Sequence, residues 1–516
     1  MKFDKENEIA AVLFLKKIKG FGPVRFREIY EKFGSFAGFL TIVAASQKQM
    51  KDLSYLREIL GKNVWFKLIR SLNEISVKNC RKLAKKLLIK AEQINGHLIT
   101  FNDEHYPRSL YQTNQCIPII YAIGNLDILK EEDVSAVVGT RNPSKWTTRQ
   151  TRKLVKKLVD NGRVIVSGLA RGVDAIAHET ALENGGKTIA VMGCGPDVCY
   201  PPENRRLQDR IKHHGLIISE YPFGERVTSL SLKKRNKIIV GLSKDVYITE
   251  TSVHGGTMNS YLAALEQKKP IKIFLPISNV GGDFSGNLKI YCDQRVIVER
   301  IRMNEEPNLN KLKEIRLVLF DLDGTLWDSE KAFLATIQSI LKESRQRIEE
   351  KKVKKMLKSC KSPLEIIKSF KIPYHRFWKI YKKNFSKIEL YSKDTKNIIF
   401  RLINDGKKVG VVTDLKEEIA LELLRYFDIY STMSVIISPS QTRARKPSPI
   451  PILKALDYLQ MTPDQSIYIG DRDVDILAAK NAGCFSGLAA WNRSVSISEK
   501  PNYVFADFKD LLLICR

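Results

Sequence analysis

From residue 134 onward the chain alternates short β-rich runs with helix-length segments, and it does so in two separate series. Val134–Val138, Val164–Ser167, Thr188–Met192, Leu216–Glu220, Asp245–Glu250 and Ile271–Leu275 make up the first. Each except the last precedes a segment that reads as a helix. This alternation predicts an open parallel sheet covered by helices on both faces. The second series runs through Leu317–Phe320, Lys408–Val412, Ser434–Ile437 and Ser466–Ile469. Between its first two strands lies a Lys-rich helical stretch, about 329–396, placed to act as a lid. Residues 1–95 differ: apolar positions recur at helix spacing through Ile9–Ile18, Phe26–Phe33 and Leu83–Ala91.

The expected domains are a helical module over 1–95, an α/β domain over 96–298, a linker over 299–314 containing the polar stretch Asn304–Asn310, and a second α/β domain over 315–516. A chain of 516 residues is too long for one ordinary domain. No apolar run approaches the roughly 20 residues that span a bilayer. The charged start, Met1–Ala10, lacks the apolar stretch of a signal peptide. Eight scattered cysteines without a CxxC pair indicate neither a disulfide framework nor a zinc ribbon, and Cys194 and Cys199 read as core thiols. Cytoplasm is the expected location. The net charge of +29 is spread along the chain. It favours a polyanionic partner through phosphate neutralisation, although a uniformly Lys-rich composition produces the same excess.

Three glycine-bearing turns sit at strand ends of the first series, where open α/β sheets bind ligands. They are Gly139–Pro143, Ser167–Asp174 and Gly193–Gly195, the last followed by Tyr200–Asn204. A glycine turn before a helix offers free N–H groups and a partial positive charge to an anion. Gly20-Phe21-Gly22-Pro23 joins two helices and either faces a phosphate or simply makes a hairpin. Asp174 and His178 either pair at i, i+4 or serve apart, with Asp174 shaping its glycine turn. Tyr200 and Tyr221 either stack on bases or pack their proline-flanked loops. His213 and His214 read as solvated.

These motifs, with Ser219–Pro222 and Lys234–Ser243 following in order, resemble the DprA/Smf family of DNA-processing proteins. The likeness spans about residues 8–295. It implies a Rossmann-like domain binding single-stranded DNA through Arg141, Ser167, Gly168, Arg171, Gly172, Lys234, Arg235, Asn236, Lys237, Gly255, Gly256 and Thr257. It further implies a RecA-type recombinase as partner and a homodimer. Val253-His254-Gly255-Gly256-Thr257 departs from that family toward nucleotide-binding relatives, so a small nucleotide is the alternative ligand.

In the second series, Leu317–Phe320 runs straight into Asp321-Leu322-Asp323-Gly324-Thr325. Two carboxylates at the mouth of a buried strand are badly placed for a core and well placed for phosphate chemistry. Thr413 ends the next strand, Lys446 follows the third, and Asp471 and Asp475 follow the fourth. Over about residues 315–513 this order resembles the haloacid dehalogenase (HAD) superfamily. The resemblance implies Mg²⁺, with Asp321, Asp323, Asp471 and Asp475 around it. Asp321 is the implied nucleophile, Asp323 the acid/base, and Thr413 and Lys446 the holders of the phosphoryl group. Asp473 is expected to face solvent. The fold class expected is α/β: two Rossmann-like parallel-sheet domains in tandem after a helical module, with a helical cap inserted in the second. The cap lysines, including Lys351, Lys352, Lys354 and Lys355, suit either a polyanionic substrate or a solvated face.

Overall fold

The computed structural model describes residues 4–49, 57–58, 60–74, 77–301, 309–343, 367–493, 495 and 497–515. They form two compact units. The first holds the chain up to Phe274 with Gly281–Ile290 and Val296–Ile301; the second holds Leu275–Val280, Tyr291–Arg295 and the chain from 302 onward.

In the first unit, nine strands form one sheet. They are β1 (Gly96–Thr100), β2 (Ile119–Gly124), β3 (Val134–Val138), β4 (Val164–Ser167), β5 (Thr188–Met192), β6 (Leu216–Ser219), β7 (Asp245–Ile248), β8 (Ile271–Phe274) and β9 (Val298–Ile301), in the order β1-β2-β6-β5-β4-β3-β7-β8-β9. From β6 to β9 all neighbours are parallel, whereas β1–β2 and β2–β6 are antiparallel. The sheet is therefore mixed, with an antiparallel edge that the sequence reading lacked. The strand order reverses between β3 and β7, which opens a crevice at their carboxyl ends.

The helical module is not a separate body. Tyr30, Phe36, Phe101 and Tyr111 pack edge to face or tilted across the boundary expected near residue 95. Arg27 donates to the carbonyls of Tyr111, Gln112 and Thr113 at 3.1–3.3 Å. Within the module, buried Glu8 accepts from the Phe36 and Ala37 N–H groups at 2.9 and 3.0 Å, so a carboxylate stabilises the positive end of helix Phe36–Gln49. At the Gly20–Pro23 turn, Gly20 has φ +112° and Arg25 donates to its carbonyl, which makes it a helix hairpin closed on itself.

The second unit centres on β10 (Leu317–Phe320), all four residues fully buried, each contributing roughly 1.5–3 kcal/mol of burial. With β13 (Lys408–Val412), β14 (Val435–Ile437), β15 (Ser466–Gly470), β16 (Phe485–Ala489) and β17 (Tyr503–Phe505) it makes a six-stranded parallel sheet, ordered β14-β13-β10-β15-β16-β17. A two-stranded antiparallel ribbon, β11 (Trp327–Asp328) with β12 (Glu389–Leu390), frames the inserted cap. Helices Glu330–Glu343 and Tyr374–Lys383 are its described parts. The ribbon closes the cap at Glu389 rather than near 396, and helix Thr395–Asn404 belongs to the crossover leading to β13. Lys351, Lys352, Lys354 and Lys355 lie outside the described residues. The expected linker is also corrected: β9 runs to Ile301 and a helix occupies Leu309–Lys313, while 302–308 are outside the described residues.

Candidate functional sites

At the carboxyl end of β10, the Asp321 N–H donates to the Ile469 carbonyl at 2.9 Å, which holds the nucleophile candidate at the strand mouth. Two glycines let the carboxylates converge. Gly324 has φ +87°, and a Cβ on it would stand 2.3 Å from Asp471 Oδ2; one on Gly470 would stand 2.4 Å from Asp475 Cβ.

Lys446 is the hub. Its buried ammonium donates to Asp321 Oδ1 at 2.7 Å, Asp475 Oδ1 at 2.6 Å and the Tyr468 hydroxyl at 3.0 Å. The Tyr468 hydroxyl passes its own proton to the Val412 carbonyl at 2.9 Å. All three ammonium hydrogens are thus used. Burial opposes the Lys446 charge, but Asp321 and Asp475 outweigh it and hold the group above its usual range. Burial likewise pushes Asp475 up, and Lys446 and Arg472 overcome that to keep it ionised below the usual carboxylate range.

Asp475 also accepts from the Arg472 N–H through Oδ2 at 3.0 Å, so both its oxygens have protein partners. It stays within the carboxylate group that could hold a metal and also holds Lys446. Asp471 is different. Asn492 occupies its Oδ2 at 3.1 Å, and its buried Oδ1 has no hydrogen-bond partner. Burial and the neighbouring Asp475 push this carboxyl up to about 8. Burial also lifts Asp321 to about 6, against the pull of Lys446. Carboxylate oxygens of Asp321, Asp471 and Asp475 lie within 4.8 Å of one another. An unpartnered buried carboxylate oxygen beside a second buried carboxylate fits a hard divalent cation such as Mg²⁺.

The Asp323 carboxylate does not join that group. It is lifted by burial, partly offset by a hydrogen bond from Ser329, and its Oδ1 is buried without a partner. A buried carboxyl whose pKa is raised holds its proton more readily, which suits a proton donor. Thr413 stands at the end of β13, its N–H on the Ile437 carbonyl at 3.0 Å and its hydroxyl accepting from the Leu415 N–H at 3.2 Å. Asp473 is half-buried, and its carboxylate accepts from the Ser498 and Glu499 N–H groups at 2.9 Å.

Sequence reasoning missed Arg472, Tyr468, Asp414 and Asn492. Arg472 sits inside the Gly470–Asp475 motif, flanked by carboxylates that raise its pKa against burial, and that flanking was a usable signal. Asp414 accepts from the Lys446 N–H at 3.4 Å, and its carbonyl takes Arg445 at 3.1 Å. Asn492 carries no motif at all.

In the first unit the glycine turns stand at the carboxyl ends of β3, β4, β5 and β7. Gly168 is the seat of Arg235: a Cβ there would lie 1.3 Å from Arg235 Nη1. That guanidinium is buried, donates to the Val191 carbonyl at 3.0 Å and stands 3.9 Å from Asp174. Asp174 accepts from the Gly168 and Ala170 N–H groups at 3.2 and 3.4 Å, so it shapes the turn. It does not pair with His178. His178 Nδ1 faces the Thr188 hydroxyl at 2.7 Å, and that hydroxyl already donates to the Ile165 carbonyl. The imidazole proton therefore sits on Nδ1, and burial drives the ring's pKa down to about 3.

Several expected phosphate contacts are engaged elsewhere. The Ser167 hydroxyl donates to the Val137 carbonyl at 2.7 Å, Arg171 pairs with Glu203 at 2.5 Å, and Lys237 pairs with Glu266 at 2.9 Å. Thr257 donates to the Gly139 carbonyl at 2.9 Å across the β3–β7 crevice, closing Gly255 and Gly256 onto it. Gly172, with φ +73°, backs against the Arg141 and Thr140 carbonyls. Asn236 is half-buried, while Arg141 and Lys234 are exposed. Tyr200 packs against the Leu169–Cys194 core cluster, and His213 and His214 are exposed.

A doubly wound sheet with glycine turns at its switch point, and a parallel sheet ending in a buried carboxylate–lysine cluster, define a two-part α/β protein. Comparison with known proteins gives the families. Residues 97–298 match the family model for DNA recombination-mediator protein A, and residues 318–489 match that for haloacid dehalogenase-like hydrolase. The chain belongs to the haloacid dehalogenase-like hydrolase family, and a domain that matches the DNA recombination-mediator protein A model is fused in front of its hydrolase domain. It is 42% identical to DNA processing protein DprA of Streptococcus pneumoniae over 169 residues, 33% of this chain and 59% of that protein. It is 30% identical to PpaX of Caldanaerobacter subterraneus subsp. tengcongensis over 216 residues, 39% of this chain and 96% of that protein. A solved structure of Helicobacter pylori DNA processing protein A, described for its single-stranded DNA binding mode, aligns at 29% identity and a TM-score of 0.36, covering 39% of this chain and 90% of that one. The chain spans about three fifths of the length of its curated Smf and DprA relatives. No helix among the described residues is long and apolar enough to cross a membrane.

Proposed function

We propose that the second unit is a Mg²⁺-dependent phosphomonoester hydrolase working through an aspartyl-phosphate. The carrying observation is the buried Lys446 bridging Asp321 and Asp475 beside the unpartnered carboxylate oxygens of Asp323 and Asp471. An Asp321 oxygen attacks phosphorus while the bond to the leaving oxygen breaks, and Asp323 gives that oxygen its proton. Asp323, now ionised, takes a proton from water. The hydroxide oxygen attacks phosphorus, the Asp321–phosphorus bond breaks, and inorganic phosphate leaves. Thr413 and Lys446 hold the phosphoryl oxygens and balance their charge. Asp321 and Asp471 would hold Mg²⁺, which when bound would supply the positive charge that lets a carboxylate approach a dianion.

On the cap side, Lys416 lies over the Tyr374 ring at 4.4 Å, and Trp378 meets that ring edge to face at 5.5 Å. An aromatic pair with a cation beside it supports a nucleotide or a nucleic-acid end as substrate. The first unit, in this reading, is a cytoplasmic single-stranded DNA-binding domain of DNA processing, recombination, transformation or phage defence that recruits such ends. Arg141 and Lys234 are its most accessible candidate contacts, and a RecA-type recombinase and a second copy of the chain are its candidate partners. The second reading, a small-nucleotide ligand regulating the phosphatase, draws on the number of expected DNA contacts already engaged within the protein. Phosphate release from nucleotides and from 5′- and 3′-phosphorylated oligonucleotides, wild type beside Asp321→Asn, tests the enzyme. Competition between oligonucleotides and nucleotides for the first unit separates the two ligands.

A further inference from the structure

We propose that Asn492 is a positioning residue that presents Asp471 to the divalent cation through Oδ1 alone. The proposal rests on reading the second unit as a metal-dependent phosphatase. Asn492 lies just beyond β16 and is 7% exposed. Its amide nitrogen donates to two groups, the Gly324 carbonyl at 2.9 Å and Asp471 Oδ2 at 3.1 Å. The Gly324 carbonyl can only accept, so the amide nitrogen must face it. One side chain thus ties the metal-binding carboxylate to the backbone of the turn that carries Asp321 and Asp323.

The consequence follows from Asp471 itself. A carboxylate turns easily about its terminal torsion and offers either oxygen or both to a cation. Here Oδ2 is committed to a neutral donor, while Oδ1 is buried, accepts no hydrogen bond and has the Arg472 guanidinium only at 4.0 Å. Gly324 makes room for this, since a Cβ on it would lie 2.3 Å from Asp471 Oδ2. The next residue back, Trp491, donates to the Thr325 carbonyl at 2.9 Å and pins the same loop without touching the carboxylate. Asn492 adds no charge of its own. Its contribution is orientation: the oxygen toward the cation is fixed before the cation arrives. Partners of metal ligands in this position are worth about 10–100-fold in metal affinity.

The test uses the full chain, freed of metal, with Mn²⁺ as the probe and its paramagnetic resonance signal as the readout of binding. Asn492→Ala should weaken Mn²⁺ binding about 10–100-fold. It should raise the Mg²⁺ concentration for half-maximal phosphate release by a similar factor, while turnover at saturating Mg²⁺ stays within a few-fold of wild type. Trp491→Phe, which loses only the neighbouring loop contact, should bind Mn²⁺ like wild type. Asn492→Ser, too short to reach Asp471, replaces the alanine variant if that one does not fold and is read in the same way. Unchanged Mn²⁺ affinity in the Asn492 variant overturns the proposal, as does equal weakening in Trp491→Phe. Asp471→Asn separates the two levels. If wild type binds Mn²⁺ and Asp471→Asn does not, the metal site stands and only the role of Asn492 is in question. If wild type binds none, the metal reading itself fails.

Discussion

Replacing Lys446 with methionine removes the only ammonium between two buried carboxylates and keeps most of the side chain's volume. At 2.7 Å from Asp321 and 2.6 Å from Asp475, each attraction amounts to roughly 6 kcal/mol at an effective dielectric of about 20. Desolvation of the three charged groups offsets much of that. Breaking such a buried group by deleting one partner costs about 3–5 kcal/mol, because the remaining charges stay buried without compensation. The cost depends on pH in a definite direction. Without the ammonium, burial and mutual repulsion raise the folded-state pKa of both carboxyls. A raised carboxyl stabilises the fold at low pH and loses that contribution as pH rises through its folded value. The deficit of Lys446→Met should therefore be small near pH 4 and widen toward pH 8. Calorimetry on the metal-free full chain measures it, with the transition that Mg²⁺ raises marking the second unit. At pH 8 that transition should fall by roughly 6–20 °C. A deficit below about 1 kcal/mol at pH 8, or one equal at pH 4 and pH 8, refutes Lys446 as the charge compensator.

Gly324→Ala should abolish Mn²⁺ binding and turnover together, because the new methyl meets Asp471 Oδ2 and φ is +87°; unfolding in denaturant should show a backbone cost of about 1–2 kcal/mol. Buried neutral His178, with its folded pKa driven to about 3, stabilises the first unit fully above its unfolded value near 6.5 and loses that contribution as pH falls through the window between. The wild-type stability should drop by up to about 1.4 kcal/mol per pH unit there, and His178→Asn, which keeps a donor toward Thr188, should flatten the slope in denaturant titrations at pH 4, 5 and 7. Arg141→Glu and Lys234→Glu should each weaken binding of single-stranded DNA and lower its salt dependence by about one counterion, measured by fluorescence anisotropy at several salt concentrations. Arg235→Met should instead lower the melting temperature of the first unit, since its guanidinium bonds the Val191 carbonyl.

The central strands were readable because burial on both faces leaves short, nearly continuous apolar runs. Val134–Val138, Val164–Ser167 and Leu317–Phe320 agree with the structure residue for residue. The two edge strands of the first sheet were not readable. Val298–Ile301 sets two adjacent charged residues between its apolar ends and falls largely in the expected linker, and Gly96–Thr100 follows the helix Val77–Gln93 after only two residues. The carboxylates, Lys446 and the glycines stood out because chemistry or backbone geometry restricts those positions to few residue types. What they do there was less legible. Arg235, expected to meet phosphate, is a buried support for the Ser167–Asp174 turn, because Gly168 gives it room and Val191 gives it an acceptor. Asp475 lies among the carboxylates that could hold a metal and also holds Lys446, a second task that the motif does not announce. Asn492 and Tyr468 enter the site from loops and strands whose convergence exists only in the folded chain.

The measurement closest to the central claim is Mg²⁺-dependent phosphate release by the full chain, wild type beside Asp321→Asn, across mononucleotides and end-phosphorylated oligonucleotides. The account predicts turnover by wild type that needs Mg²⁺ and is lost in Asp321→Asn, with the variant still folded and still able to bind single-stranded DNA. Turnover that survives Asp321→Asn, or its absence on every phosphomonoester with Mg²⁺ bound, would contradict it.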